Sequence, residues 1–258
     1  MYETIALSRD SRRVATLTLN RPEKHNVISG QMCLELSDAI ARLAADDSRV
    51  VVLTGAGKSF CAGGDLGWMR AQFEADRATR MAEARKLAHM LRDLNTLPKP
   101  VIGRINGTAM GGGLGMMAVC DIAIAAETGR FGFTETRLGL IPATISPYVL
   151  ARMGEGRARR VFMSARVFGP EELEPLGLVA RTVPAADLDA TIEDEIAPYL
   201  QAAPAAVAAS KALARRLGPT IDDALIEETI GALANAWEGP EAQAGIRAFL
   251  DKTPPPWA

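Results

Sequence analysis

The sequence predicts an α/β fold that ends in an all-helical module, and three observations carry that expectation. Short apolar strand signals alternate with helical periodicities along most of the chain. Proline or glycine punctuates the changes from one pattern to the next. From about Ala186 onward the strand signals stop, and alanine-rich helical segments take over.

Near the N-terminus, Arg13 to Leu19 alternates apolar and polar side chains as a strand does, and Asn20-Arg21-Pro22 ends it. Between Ser29 and about Ala45, the apolar residues Met32, Leu36, Ala39, Ile40 and Leu43 recur at helical spacing, with Asp46-Asp47 closing the segment. Val50 to Thr54 reads as a short buried strand running into the turn Gly55-Ala56-Gly57. A further glycine-rich turn follows at Cys61-Ala62-Gly63-Gly64-Asp65. Residues 74–97 read as one long helix with Met81, Ala84, Leu87, Ala88, Leu91 and Leu94 on one face, stopped by Pro98 and Pro100. Val101 to Ile105 resumes a strand. Gly111-Gly112-Gly113 then leads into the apolar helical run Leu114 to Cys120, and Asp121 to Ala126 is strand again. In the last quarter Pro198, Pro204 and Gly218-Pro219 separate helical segments, and the tail Thr253 to Ala258 is too proline-rich to continue a helix. The chain is therefore divided into a core, 1–195, and a helical C-terminal region, 196–258, with no internal repeat evident.

Composition excludes several functions. The chain has 258 residues, 48% hydrophobic and 23% charged, which is ordinary for a globular protein with a real core. A formal net charge of -2 gives no bulk attraction for nucleic acid or anionic lipid. No apolar stretch approaches the roughly 20 residues of a membrane span, and Met1-Tyr2-Glu3-Thr4 begins no secretory signal, so a cytoplasmic protein is expected. The three cysteines, Cys33, Cys61 and Cys120, and two histidines, His25 and His89, make no recognisable zinc pattern, and free thiols and no metal are expected. His89 falls within a helical pattern and reads as a packed or half-exposed side chain.

The glycine clusters around Gly64 and Gly112 each precede a helix-like segment. Glycine there lets a backbone N–H approach a ligand closely, and such donors can stabilise a developing oxyanion. Tight turns use glycine too, and neither cluster is a phosphate loop of the GxxxxGK[ST] type.

The joint pattern is more specific than either turn. Lys58-Ser59-Phe60-Cys61-Ala62-Gly63-Gly64-Asp65-Leu66 resembles the first signature of the enoyl-CoA hydratase/isomerase (crotonase) family. Asn106 to Leu114, followed by Cys120-Asp121, resembles its second. Asn20-Arg21-Pro22-Glu23-Lys24-His25-Asn26, the segment Phe131 to Pro142, Gly177-Leu178-Val179 and Ala248-Phe249-Leu250-Asp251-Lys252 match in the same order, so the resemblance spans essentially the whole chain.

That resemblance implies a crotonase-type spiral of β-β-α units and a C-terminal helical region involved in assembly, with trimers often paired into hexamers. It implies an acyl-CoA substrate whose coenzyme A is the handle, with no separate cofactor. It gives the oxyanion donors as Gly64 N–H and Gly112 N–H, with Ala62, Gly63, Asp65, Leu66 and Trp68 along the substrate. Lys24 matches a position near the coenzyme phosphates, and Phe249 and Lys252 match a tail that often reaches a neighbouring subunit's coenzyme. Surface lysine is the plain alternative for Lys24 and Lys252, and core packing the alternative for Trp68.

Hydratases of this family typically carry two glutamates that hold the attacking water. Here the second is Glu135, but the first position is Gly115. A single Glu135 suffices to take a proton from water and return it to C2 if a dry site raises its pKa. It also suffices to move a proton between C2 and C4, the isomerase reaction. A salt bridge to Arg137 or another cation would instead make Glu135 structural, and a non-catalytic acyl-CoA-binding member is a third reading. The segments Gly64 to Met69 and Gly139 to Pro147 look like the methylglutaconyl-CoA hydratase branch, which implies hydration ahead of isomerisation and a branched or carboxylated 2-enoyl-CoA, with Arg104 or Arg137 as candidate counter-ion.

Overall fold

The computed structural model describes residues 2–258. The first part of the chain runs β1 (Ile5–Arg9), β2 (Val14–Leu19), α1 (Gly30–Ala45), β3 (Val50–Gly55), β4 (Ser59–Cys61), α2 (Leu66–Glu74) and α3 (Arg77–Thr96). It continues with β5 (Val101–Ile105), β6 (Thr108–Met110), α4 (Gly112–Ala118), β7 (Ile122–Ala126), β8 (Phe131–Gly132), α5 (Ser146–Met153), α6 (Glu155–Phe162) and β9 (Arg181–Val183). Helices α7 (Leu188–Gln201), α8 (Pro204–Leu217), α9 (Asp223–Glu238) and α10 (Pro240–Asp251) complete it.

Two sheets form, in the orders β1-β2-β3-β5-β7-β9 and β4-β6-β8. Among the named strands β1–β2 pair antiparallel and the other pairs run parallel, and an isolated antiparallel bridge joins Phe131 to Phe168. The strands β3, β5 and β7 enter the large sheet, and the strand after each, β4, β6 or β8, enters the small one. The chain therefore winds through both sheets in successive two-strand steps, which is the expected spiral. Parallel strands so placed are covered on both faces. In β3, Val51 and Leu53 join the main core with α1 and α3, whereas Val50 and Val52 meet Leu188, Ile192 and Ile196 of α7.

The structure corrects several sequence expectations. Strand β1 was not anticipated; it lies antiparallel along β2 with Ile5 opposite Leu19. The helix expected over 74–97 begins at Arg77, because Asp76 accepts a hydrogen bond from Thr79 N–H and caps a new helix after α2 has ended. Pro198 does not separate helices. It lies in the last turn of α7, where one backbone bond is lost while Ile192 and Ile196 keep the helix on the sheet. The boundary at 195/196 thus falls inside α7. The later helices also reach the core: α9 packs Ile226 and Ile230 on Ala84 and Ala88 of α3, and α10 packs Ala242 and Ile246 with Leu140. Among the described residues no helix is long and apolar enough to cross a membrane.

Glu35 of α1 ties down the N-terminal segment. Its carboxylate accepts from Glu3 N–H (2.9 Å), Thr4 N–H (2.8 Å) and the Thr4 hydroxyl (2.6 Å). Burial raises its pKa, but these bonds and one from Gln31 outweigh it and hold the group at about 2. Because the folded pKa lies below the ordinary 4.5, this stabilisation is complete above pH 4.5 and is lost as pH falls toward 2. Glu35→Gln is expected to lower stability at pH 7 and to flatten its decline over that acid window, as read by urea midpoints at stepped pH.

Candidate active site

Three turns from distant parts of the chain meet at one cavity. The first follows β4. Gly63, with φ +100°, turns the chain back, and Ile28 holds it through Ile28 N–H to Gly63 O and Asp65 N–H to Ile28 O, both 2.8 Å. The second follows β6. Gly111 adopts φ +48°, Gly112 opens α4, and a Cβ at Gly112 would stand 2.6 Å from Ile28 Cδ1. Ile28 therefore touches both turns and brings Gly64 and Gly112 to the same wall. Among the described residues no turn or cap hydrogen bond uses the N–H of either glycine.

The third turn is a 3-10 helix, Glu135–Leu138, just beyond β8, anchored by the fully buried Phe131 and Phe133. Glu135 Oε1 lies 3.0 Å from where a Cβ at Gly111 would stand, so a side chain at 111 would crowd the carboxyl. Glu135 Oε2 is buried and has no hydrogen-bond partner. Burial pushes the Glu135 pKa up to about 7, against only a weak opposing bond from its own backbone. The salt bridge to Arg137 is not formed. Arg137 instead lines the cavity, and neither residue takes part in an ion pair among the described residues.

The cavity measures about 450 Å³, a size suited to a small organic group. Of the expected site residues, Ala62, Gly63, Gly64, Trp68, Gly112 and Glu135 line it, and so does Phe249, expected instead at a neighbouring subunit's coenzyme. Apolar side chains of α3, α9 and the segment after Glu135 form much of the remaining wall, among them Leu87, Leu140, Ile145, Leu233 and Trp237.

Other expected site residues lie elsewhere. Gly115 is buried and does not line the cavity: a Cβ there would stand 2.5 Å from Ile145 Cγ2, so Ile145 holds the space a side chain at 115 would need. Asp65 is a cap, not a wall. It accepts from Gly67 N–H (2.8 Å) and Trp68 N–H (3.2 Å) and pairs with Arg21 at 3.0 Å, fixing α2 to the first turn. Leu66 points outward and is 57% exposed. Lys24 and Lys252 are exposed and stand outside the cavity lining. His25, exposed beside the Ser59 hydroxyl, and His89, half-buried on α3, do not line it either. All three cysteines are buried and unpaired.

Sequence reasoning missed Ile145 and Glu83. Glu83 precedes Leu87 by one helical turn on α3 and lines the cavity with it, but a single acid beside an apolar helical stripe reads as a solvated residue. Cys33 of α1 also lines the cavity, and burial pushes its thiol up to about 12.

Two N–H groups on one wall and an enclosed carboxyl can hold a carbonyl oxygen and move a proton beside it. The sequence model described as Enoyl-CoA hydratase/isomerase matches residues 9–258. The chain belongs to that family. A Thermus thermophilus protein provisionally named enoyl-CoA hydratase is 34% identical over 249 residues, 94% of this chain and 96% of that protein. The mevalonyl-coenzyme A hydratase sidH of Aspergillus fumigatus is 34% identical over 255 residues, 95% of this chain and 91% of that protein. The crystal structure of an enoyl-CoA hydratase from Shewanella pealeana superposes with a TM-score of 0.82 at 34% identity, covering 100% of this chain and 97% of that one. This enoyl-CoA hydratase/isomerase family member is accordingly an enzyme of the crotonase fold, and its family implies acyl-CoA thioesters as substrates.

Proposed function

We propose that the enzyme hydrates a 2-enoyl-CoA thioester, with Gly64 N–H and Gly112 N–H holding the thioester oxygen and Glu135 moving the protons. The observation that carries this reading is the Glu135 carboxyl, enclosed, without a partner at Oε2 and poised near neutrality. Water gives a proton to Glu135 as its oxygen bonds to C3. The C2–C3 π electrons move toward the thioester, and the resulting enolate oxygen is held by the two amides. Glu135 then returns the proton to C2, which closes the cycle with the carboxylate restored.

Isomerisation between 3-enoyl and 2-enoyl thioesters is the second reading. It is favoured by one feature, the absence of a second carboxylate where Ile145 covers Gly115. Supplying crotonyl-CoA and a 3-enoyl-CoA in separate assays separates the two. Loss of the conjugated enoyl absorbance from crotonyl-CoA is expected. Its appearance from the 3-enoyl ester, with crotonyl-CoA untouched, would replace hydration by isomerisation.

The resemblance to the methylglutaconyl-CoA hydratase branch supports a branched acyl group as the finer form of this proposal, with a carboxylated chain as its alternative. A carboxylated chain would take Arg137 as its counter-ion, since Arg104 is engaged by Asp189 at 2.6 Å and does not line the cavity. Lys24 and Lys252 are proposed contacts for the coenzyme phosphates. Assembly into trimers, alone or paired as hexamers, is proposed through the C-terminal helices; α8 buries none of its residues and leaves Leu213 and Leu217 exposed.

A further inference from the structure

Glu83 is a carboxylate in a largely apolar acyl cavity, and neither the oxyanion turns nor the Glu135 chemistry calls for it. It projects from α3 one turn before Leu87, whose Cδ2 lies 3.8 Å from where a Cβ at Gly112 would stand. The helix face that passes the second turn therefore reaches Glu83 next. Its Oε2 accepts from Trp68 Nε1 at 3.1 Å and its Oε1 from Lys86 Nζ at 2.5 Å. Gly30 gives it room: a Cβ there would stand 2.9 Å from Oε2. Ser29 and Cys33 line the cavity beside it, so one part of the wall is polar.

Two bonds leave a carboxylate with unused acceptor capacity. Burial raises the Glu83 pKa, but the bonds from Lys86 and Trp68 outweigh it and hold the group below the ordinary value, so it is an acceptor at neutral pH. An alkyl tip pressed against this carboxylate would strip its remaining water and give nothing in return. A hydroxyl would replace that water with a charge-assisted hydrogen bond. A second carboxylate would meet like charge.

We propose that Glu83 is the polar stop of the acyl subsite and that the preferred acyl chain carries a hydroxyl placed to donate to it. The proposal rests on the acyl-CoA reading of the cavity and narrows its substrate toward a neutral, hydroxylated enoyl chain rather than a carboxylated one.

The test pairs 5-hydroxypent-2-enoyl-CoA with hex-2-enoyl-CoA and 6-hydroxyhex-2-enoyl-CoA with hept-2-enoyl-CoA, and adds glutaconyl-CoA as the carboxylated chain. Both kcat/KM for hydration and calorimetric dissociation constants are measured. At least one hydroxylated chain is expected to exceed its alkyl counterpart by about tenfold to a hundredfold, the worth of a hydrogen bond to a charged group. Glu83→Leu should abolish or invert that ratio. Glu83→Gln, which can still accept from Trp68, should retain part of it. A purely structural Glu83, holding Trp68 and Lys86 and meeting no substrate, would leave the hydroxyl-to-alkyl ratio unchanged in the leucine variant while lowering both rates, and that result overturns the proposal. Equal use of both chains by the unmodified enzyme, or preference for glutaconyl-CoA, also overturns it and leaves the hydratase reading standing. If no chain is hydrated, the hydratase reading falls, and the ratio of dissociation constants still decides the role of Glu83.

Discussion

Glu135→Gln is expected to lower kcat for hydration by about 10²- to 10⁴-fold, the usual contribution of a general acid–base group. It should change KM little, because the thioester is held by backbone amides that the substitution leaves in place. The pH profile supplies the second signature. Glu135 must be ionised to accept the proton of water, so kcat/KM should rise with pH through about 7, and the residual activity of the variant should lack that rise.

Stability should move in the opposite direction from activity. A carboxyl whose folded pKa is about 7 instead of 4.5 destabilises the fold above its unfolded pKa, with the cost growing as pH rises and reaching its full size above pH 7. The shift corresponds to about 3 kcal/mol. Glutamine carries no charge and is expected to raise the thermal midpoint at pH 8 but not at pH 4. A variant that lost both turnover and stability at pH 8 would mean that Glu135 serves packing, not proton transfer.

The residues that could be read from sequence share a physical property: their role is set by their own turn. Gly63 and Gly111 need backbone conformations that other residues adopt poorly, so glycine marks them directly. Glu135 follows two buried aromatics that anchor a short turn, and its place in the motif carried it. Strands β3, β5 and β7 were legible because burial on both faces demands unbroken apolar runs. The two- and three-residue strands of the small sheet were not, since so few residues carry no periodicity. Nor was α2, a nine-residue helix the sequence reading did not include, or the start of α3, which the Asp76 cap sets three residues after the expected 74. Ile145 and Glu83 were invisible for a different reason. Their importance lies in what they meet across the fold, Gly115 for one and Trp68 for the other, and no local signal records such a meeting.

Gly115→Glu alone is expected to destabilise the protein by about 3 kcal/mol or more, combining overpacking with burial of a charge. The Cβ of any residue at 115 would stand 2.5 Å from Ile145 Cγ2, 2.9 Å from Ile145 Cβ and 3.5 Å from Leu91 Cδ1. Rotating Ile145 relieves the first contact but not the second, because Cβ is fixed to the backbone. Combining Gly115→Glu with Ile145→Gly removes both contacts, and the glutamate's methylenes occupy the volume the isoleucine leaves. The double variant should therefore be more stable than the sum of the single effects predicts, by about 1–3 kcal/mol in a double-mutant cycle read from urea unfolding. Strict additivity would show that Ile145 is not what excludes a carboxylate from this position. Where the cycle couples, a further consequence follows for the chemistry. In the double variant the carboxyl at 115 takes the space of Ile145, which lines the cavity with Glu135, and two carboxyls sharing one cavity cannot both ionise freely, so their titrations separate and the single rise of kcat/KM with pH becomes a bell. The absence of a carboxylate at 115 to share the proton chemistry of Glu135 would then be a packing choice, made by a glycine and an isoleucine together.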